Sequence, residues 1–131
     1  MKISKACVFT LTFAFAVVAN AESIWVKVKE GGWEPNEQIL NTMKTNIEAY
    51  VKNEAKLQKR ELLKWDKYIF QYLAADVKGT KIILINALCG KRAPQELESF
   101  NYVSGGGNCY FSLKYHPEKK RFSDLFINGA T

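Results

Sequence analysis

The hydrophobic spacing of this chain changes near residue 65, and that change limits the folds it can adopt. From about residue 35 to this point, apolar residues recur at intervals of three and four, which is the period of a helix with one buried face. The residues with this spacing are Ile39, Leu40, Met43, Ile47, Tyr50 and Val51. They predict an amphipathic helix from about residue 35 to 53, and the pattern can be followed to about residue 63.

After residue 65 the apolar and aromatic residues alternate with others, or form short apolar runs, as strands do. The predicted strands cover residues 65–73, 81–89, 109–115 and 122–127, with a further short strand at 24–28 before the helix. Turn-forming residues at 76–79 indicate a hairpin between the second and third strands along the chain. A run of strands after one helix predicts an α+β fold, with one long N-terminal helix packed on a curved antiparallel sheet of about four strands.

The first 21 residues have the features of a secretory signal peptide. Lys2 and Lys5 are followed by an uncharged apolar run, and Ala-Asn-Ala closes the segment at residues 19–21. The apolar run is about 13 residues, whereas a membrane span needs roughly 20; the alternative is an uncleaved N-terminal anchor. We predict a signal peptide at 1–21, a single domain at 22–131, a periplasmic or secreted protein, and no stable membrane span after signal removal.

The cysteine content is consistent with export, and the charge distribution bears on nucleic-acid binding. Cys7 falls within the predicted leader, which leaves Cys89 and Cys109 as an even pair, so we predict a disulfide between them. It would pin the irregular segment 90–107 to the sheet. The net charge of +6 includes Lys2 and Lys5, and most other basic residues are scattered. A nucleic-acid binder has a clustered basic stripe, so we predict no nucleic-acid partner.

No spacing typical of a catalytic or metal site is found. His116 is the only histidine, so a zinc site lacks further ligands. Residues 107–111, Gly-Asn-Cys-Tyr-Phe, resemble a segment of OTU-type cysteine proteases, but such a nucleophile needs a reduced thiol beside a base. Glu96 and Glu98 lack the apolar surroundings of a general acid. We predict a non-enzymatic protein without cofactor or metal.

Two amides interrupt otherwise apolar strands. Gln71 lies within the first long strand and Asn86 within the next. One hypothesis places both in a pocket between helix and sheet, which would make the protein a cone-shaped domain that binds a small ligand. The alternative is that each amide hydrogen-bonds a strand end or solvent. A fully packed interior between helix and sheet would exclude such a pocket.

Four other residues are candidates for contact with a partner. Trp25 and Trp33 lie near the N-terminal edge, where an exposed indole can anchor another protein, although packing in the core is the alternative. Asp76 and Lys78 lie in the predicted hairpin turn. Our leading hypothesis is an exported binding module, in one version an inhibitor or immunity protein for an envelope hydrolase. Its contact loop would be residues 90–108 or the turn at 76–79.

Two resemblances add to these expectations. A long helix followed by Gln-Tyr-Leu-Ala-Ala (residues 71–75) and a hairpin turn resembles the cystatins, which implies a cystatin-like fold or a related cone. Leu73 and Ala75 replace the valine and glycine of that family's inhibitory Gln-x-Val-x-Gly hairpin, so the resemblance does not imply protease inhibition. The motifs Tyr-x-x-Gln-Tyr (68–72), Asn-Ala-x-Cys (86–89) and Gly-Gly-x-Cys-Tyr-Phe with its C-terminal continuation (106–129) are similar to those of small exported bacterial proteins of unknown function. This second resemblance implies paired cysteines and a bacterial origin.

Overall fold

A computed structural model describes residues 23–100 and 102–130. The predicted signal peptide therefore lies outside the described residues. The helix and strands, in chain order, are β1 (Ile24–Lys27), α1 (Glu37–Leu57), β2 (Tyr68–Val77), β3 (Thr80–Cys89), β4 (Tyr110–His116) and β5 (Arg121–Ile127). Three short 3-10 turns lie at Trp65–Lys67, Pro94–Leu97 and Gly107–Cys109.

All five strands form one sheet in the order β1-β2-β3-β4-β5, so the α+β class is confirmed. Two details of the prediction are wrong: the sheet has five strands rather than about four, and the helix follows the first strand rather than standing N-terminal to the sheet. β1 also pairs with β2 in parallel, whereas the other neighbours are antiparallel. A parallel pair needs a long crossover, and α1 supplies it.

Helix α1 begins directly after its N-cap residue, Asn36. The Oδ1 atom of Asn36 accepts a hydrogen bond from the backbone N–H of Ile39 at 2.9 Å, and Glu37 follows in the first turn. Both features stabilise a helix start, the first by pairing a free N–H and the second by complementing the helix dipole. The helix therefore starts two residues after Pro35, the position at which the sequence pattern places its first turn.

The helix ends before the predicted extension to residue 63, because Lys59 adopts a left-handed conformation with φ of 56°. The N–H of Lys59 bonds the carbonyl of Lys56 at 3.1 Å, and that of Arg60 bonds the carbonyl of Ala55 at 2.8 Å. This pair of bonds is the Schellman motif, which closes a helix and redirects the chain. The guanidinium of Arg60 then donates to the carbonyls of Ile127 and Asn128 at the end of β5.

The core lies between α1 and one face of the sheet. Its helix side is a stripe at intervals of four residues: Met43, Ile47, Val51 and Ala55. Its sheet side is largely aromatic, with the Phe111 ring 4.8 Å from Tyr68 and 6.1 Å from Phe70, centroid to centroid, both edge to face. Such pairs add about 1 kcal/mol each beyond the area they bury. Buried side chains of the helix and of the sheet form one continuous cluster there.

Strand β5 contains a bulge. Ser112 pairs with Phe126 and Lys114 pairs with Ser123, so two residues of β5, Asp124 and Leu125, face one residue of β4. Asp124 has φ of 57°, the left-handed conformation that a bulge of this kind often requires at its first position. The extra residue reverses the alternation of side chains along the rest of the strand.

We expect the protein to lose stability above about pH 10, because burial raises the pKa of four tyrosines, Tyr50, Tyr68, Tyr72 and Tyr115, above 10.0. Between the unfolded and the higher folded pKa, the unfolded chain has released a proton that the folded chain keeps. Unfolding is therefore favoured as the pH rises through this range. Below the range the tyrosines are protonated in both states and do not lower the free energy of unfolding. Urea unfolding between pH 8 and 10.5 measures this loss.

The variant Tyr115→Phe isolates the effect, since burial is the cause of the raised pKa of Tyr115. Its urea midpoint should fall less steeply with pH than that of the wild type. Tyr102→Phe serves as the control, because the Tyr102 side chain is exposed. Parallel pH profiles for wild type and Tyr115→Phe would contradict the prediction.

Candidate functional site

The sheet face turned away from α1 carries both buried amides. Phe70 and Tyr72 of β2 belong to the helix-facing core, so Gln71 between them points to the opposite face. Asn86 lies directly across from Gln71 in β3 and donates from Nδ2 to its Oε1 at 3.1 Å. The two amides are therefore together, but not in a pocket between helix and sheet, where the sequence-based hypothesis put them. Strand alternation turns them the other way.

Gln71 holds the segment between β3 and β4, which we call the β3–β4 loop (residues 90–106). Its Nε2 atom donates to the carbonyls of Leu97 at 3.0 Å and Ser99 at 2.8 Å. Leu97 is buried, and the N–H of Lys29 donates to the carbonyl of Glu98 at 3.0 Å. The sequence-based alternative of a hydrogen-bonding role thus describes Gln71 better, with loop carbonyls as the acceptors.

A second amide holds the other end of the β3–β4 loop. The buried Asn128, just after β5, donates from Nδ2 to the carbonyls of Val103 at 2.6 Å and Gly105 at 2.9 Å. The predicted disulfide is confirmed between Cys89 and Cys109, with their Cα atoms 4.9 Å apart, and it joins the end of β3 to the 3-10 turn just before β4. The loop is therefore irregular in backbone but attached at several points.

The β3–β4 loop and the end of β5 together expose an apolar surface to solvent. Tyr102 is 86% exposed and Phe126 of β5 is 63% exposed. Both line a groove of about 470 Å³ together with Val103. We call these three residues the Tyr102–Phe126 surface. The Phe100 ring lies 6.0 Å from that of Tyr102, so the aromatic character continues along the loop.

Sequence reasoning missed this surface because of the bulge in β5. Regular alternation from Phe122, which packs on the core, would turn Phe126 inward as well. The bulge instead turns Leu125 and Ile127 inward and leaves Phe126 in solvent. Asp124 was the only local signal, since a charged residue in the middle of an inward-facing series indicates an irregular strand.

Trp25, predicted to face a partner, packs at the edge of the core. Its ring stacks on Phe70 at a centroid distance of 4.6 Å and lies 6.3 Å from Tyr72. The ammonium of Lys44 on α1 lies 5.8 Å from the Trp25 ring centroid. The indole is half-buried and joins β1 to both the sheet and the helix.

Trp33 is half-buried at the other end of the same edge. Its Nε1 atom donates to the carbonyl of Ala75 at 3.0 Å, and the Lys81 ammonium lies 5.4 Å from its ring centroid. The structure therefore fixes the orientation of this indole.

Asp76 and Lys78 lie at the β2–β3 hairpin, where the strands run to Val77 and restart at Thr80. Lys78 and Gly79 have φ of 53° and 84°, which makes a two-residue type I′ turn. The Oδ1 atom of Asp76 accepts from the N–H of Gly79 at 2.8 Å, so Asp76 stabilises the turn. The Lys78 side chain is exposed.

The histidine and the two cysteines of the described residues each have a partner. His116 Nε2 lies 2.6 Å from Ser123 Oγ on the neighbouring strand. Cys109 is held in the disulfide, so it has no thiol to act as a nucleophile. Within residues 23–100 and 102–130, no three histidine, cysteine or carboxylate side chains cluster as metal ligands would.

Comparison with protein-family models, with curated proteins and with solved structures found no match for this chain. The resemblances to cystatins and to small exported bacterial proteins thus stay predictions. The described part of the chain contains no helix with the length and apolarity needed to span a bilayer.

Proposed function

We propose that this protein is an exported binding module that holds a protein partner of the cell envelope through the Tyr102–Phe126 surface. The observation that carries the proposal is the exposure of two large aromatic side chains, 86% for Tyr102 and 63% for Phe126, side by side at one groove. Aromatic side chains supply much of the binding energy at protein interfaces, because they bury a large area with few rotatable bonds.

The attachment of the β3–β4 loop supports the same proposal. Gln71 and Asn128 fix four of its carbonyl groups, and the Cys89–Cys109 disulfide closes its base. Binding by a loop that is already ordered costs less conformational entropy than binding by a free loop. An inhibitor or immunity protein for an envelope hydrolase is the version we favour, because such proteins present a preformed surface to one target.

The test is site-specific photocrosslinking in the native host, with a benzophenone amino acid in place of Tyr102. The double variant Tyr102→Ala with Phe126→Ser, which carries no crosslinker, should reduce the amount of the same partner that co-purifies at least tenfold. Leu57→Ser is the matched control, since Leu57 is an apolar side chain of 70% exposure at the C-terminal end of α1 and is not among the residues that line the groove.

Both variants should keep the unfolding midpoint of the wild type, because both change exposed side chains. Equal partner recovery by the control and the double variant would contradict the proposal. So would a Tyr102 crosslink that links only copies of this chain.

A further inference from the structure

A second cavity, separate from the Tyr102–Phe126 surface, lies at the end of the sheet where the β2–β3 and β4–β5 hairpins turn. Its volume is about 320 Å³, at the small end of the range for ligand sites. Trp33, Ile39 and Pro117 give it an apolar wall, and three charged residues, Glu34, Lys81 and Glu118, stand around that wall. These residues come from three segments distant in sequence: residues 33–39, Lys81 and residues 117–118.

Hydrogen bonds within the protein fix the position of Trp33 in the cavity wall. The segment before it runs along the edge of β2, where the Gly32 N–H donates to the carbonyl of Ala74 at 2.8 Å. A Cβ atom at Gly31 would lie 3.4 Å from that same carbonyl oxygen, an ordinary van der Waals distance, so this segment packs directly against β2. The bond from Trp33 Nε1 to the next carbonyl, that of Ala75, then sets the ring.

The three charged residues around the wall differ in whether they form an ion pair. Glu34 forms an ion pair with Lys27. Lys81 and Glu118 belong to none of the ion pairs found among the described residues. The Lys81 ammonium is held over the Trp33 ring, 5.4 Å from its centroid, and Glu118 stands exposed in the β4–β5 turn. One positive and one negative group are thus left to meet a ligand beside an apolar wall.

We propose that this cavity binds a small zwitterion with an apolar side chain, such as an amino acid or a dipeptide. The ligand carboxylate would face Lys81, its ammonium would face Glu118, and its side chain would lie against Trp33, Ile39 and Pro117. A purely anionic ligand would be repelled by Glu118, and a purely cationic one by Lys81. The balance of charge therefore selects a ligand that carries both.

Fluorine NMR of the disulfide-bonded protein labelled with 5-fluorotryptophan tests the proposal. The label reports Trp25, Trp33 and Trp65 separately, and Trp33→Phe identifies the Trp33 resonance. L-phenylalanine should shift that resonance saturably, with a dissociation constant of about 1 mM, as a small ligand with two ionic contacts would. N-acetyl-L-phenylalanine, which lacks the ammonium, and L-phenylalaninamide, which lacks the carboxylate, should each bind at least fivefold more weakly.

The variants separate the two charges. Lys81→Met should remove the preference for the free acid over the amide, and Glu118→Gln should remove the preference for the free amine over the N-acetyl compound. Lys119→Met, an exposed neighbour, is the control and should change neither preference. Equal affinity for all three compounds, or no saturable shift at Trp33, would overturn the proposal.

Discussion

Replacing both Cys89 and Cys109 by alanine is expected to lower the free energy of unfolding by about 3 kcal/mol. The two residues are 20 positions apart, and opening a loop of this length restores that much conformational freedom to the unfolded chain. Urea unfolding of the double variant beside the wild type measures the difference. Both variant side chains are apolar, so the change adds no new polar group at these half-buried positions.

The wild type in excess dithiothreitol is the control and should unfold at the midpoint of the double variant. Loss of the disulfide should increase the rate of amide hydrogen exchange more in the β3–β4 loop than in α1, because the loop has lost one of its attachments. A double variant with the midpoint of the oxidised wild type would contradict this account of the disulfide.

The second large effect is expected for Gln71→Leu, with a loss of about 2–4 kcal/mol. The leucine would leave the carbonyls of Leu97 and Ser99 without their donor and the amide of Asn86 without its acceptor in Gln71. Two of these three bonds are fully buried, and a buried polar group that loses its partner costs about 1–3 kcal/mol, while the volume of the side chain changes little. Urea unfolding gives the size of the loss.

Gln38→Leu, on the exposed face of α1, is the matched control and should change the stability by less than about 0.5 kcal/mol. Hydrogen exchange adds a readout specific to the loop: protection near Leu97 should fall more in Gln71→Leu than protection in β3. Had Gln71 instead lined a ligand pocket, the variant would leave the loop fully protected, and that result would reject our assignment.

The helix and the strands could be predicted because their periods depend on short-range spacing. The stripe from Met43 to Val51 and the alternation in β4 identify α1 and that strand directly. The ends of elements depended on local backbone geometry that residue types indicate poorly. Lys59 and Lys78 both adopt left-handed conformations in which glycine or asparagine is the usual residue. The helix bound at residue 53 therefore falls short of Leu57, the extension to residue 63 runs past it, and the predicted strand end at residue 73 falls short of Val77.

The candidate site was harder to predict because it depends on which sheet face the helix covers. Alternation places Gln71 and Asn86 on the face opposite Phe70, yet it does not say which of the two faces packs on α1. The parallel direction of β1 could not be predicted either, because a four-residue strand has no sequence feature that fixes its direction. Tyr102 lies in a loop without periodicity, where no pattern predicts exposure.

The bulge in β5 has a consequence for how this molecule meets others. β5 is an outer strand, and an outer strand offers free N–H and C=O groups on which a strand from another molecule can pair and begin aggregation. The left-handed Asp124 breaks that row in the middle of the seven-residue strand, and its carboxylate is held by Lys114 at 3.2 Å. Only short stretches on either side remain straight. The irregularity that turns Phe126 outward thus also makes this border of the sheet a poor template for uncontrolled strand addition.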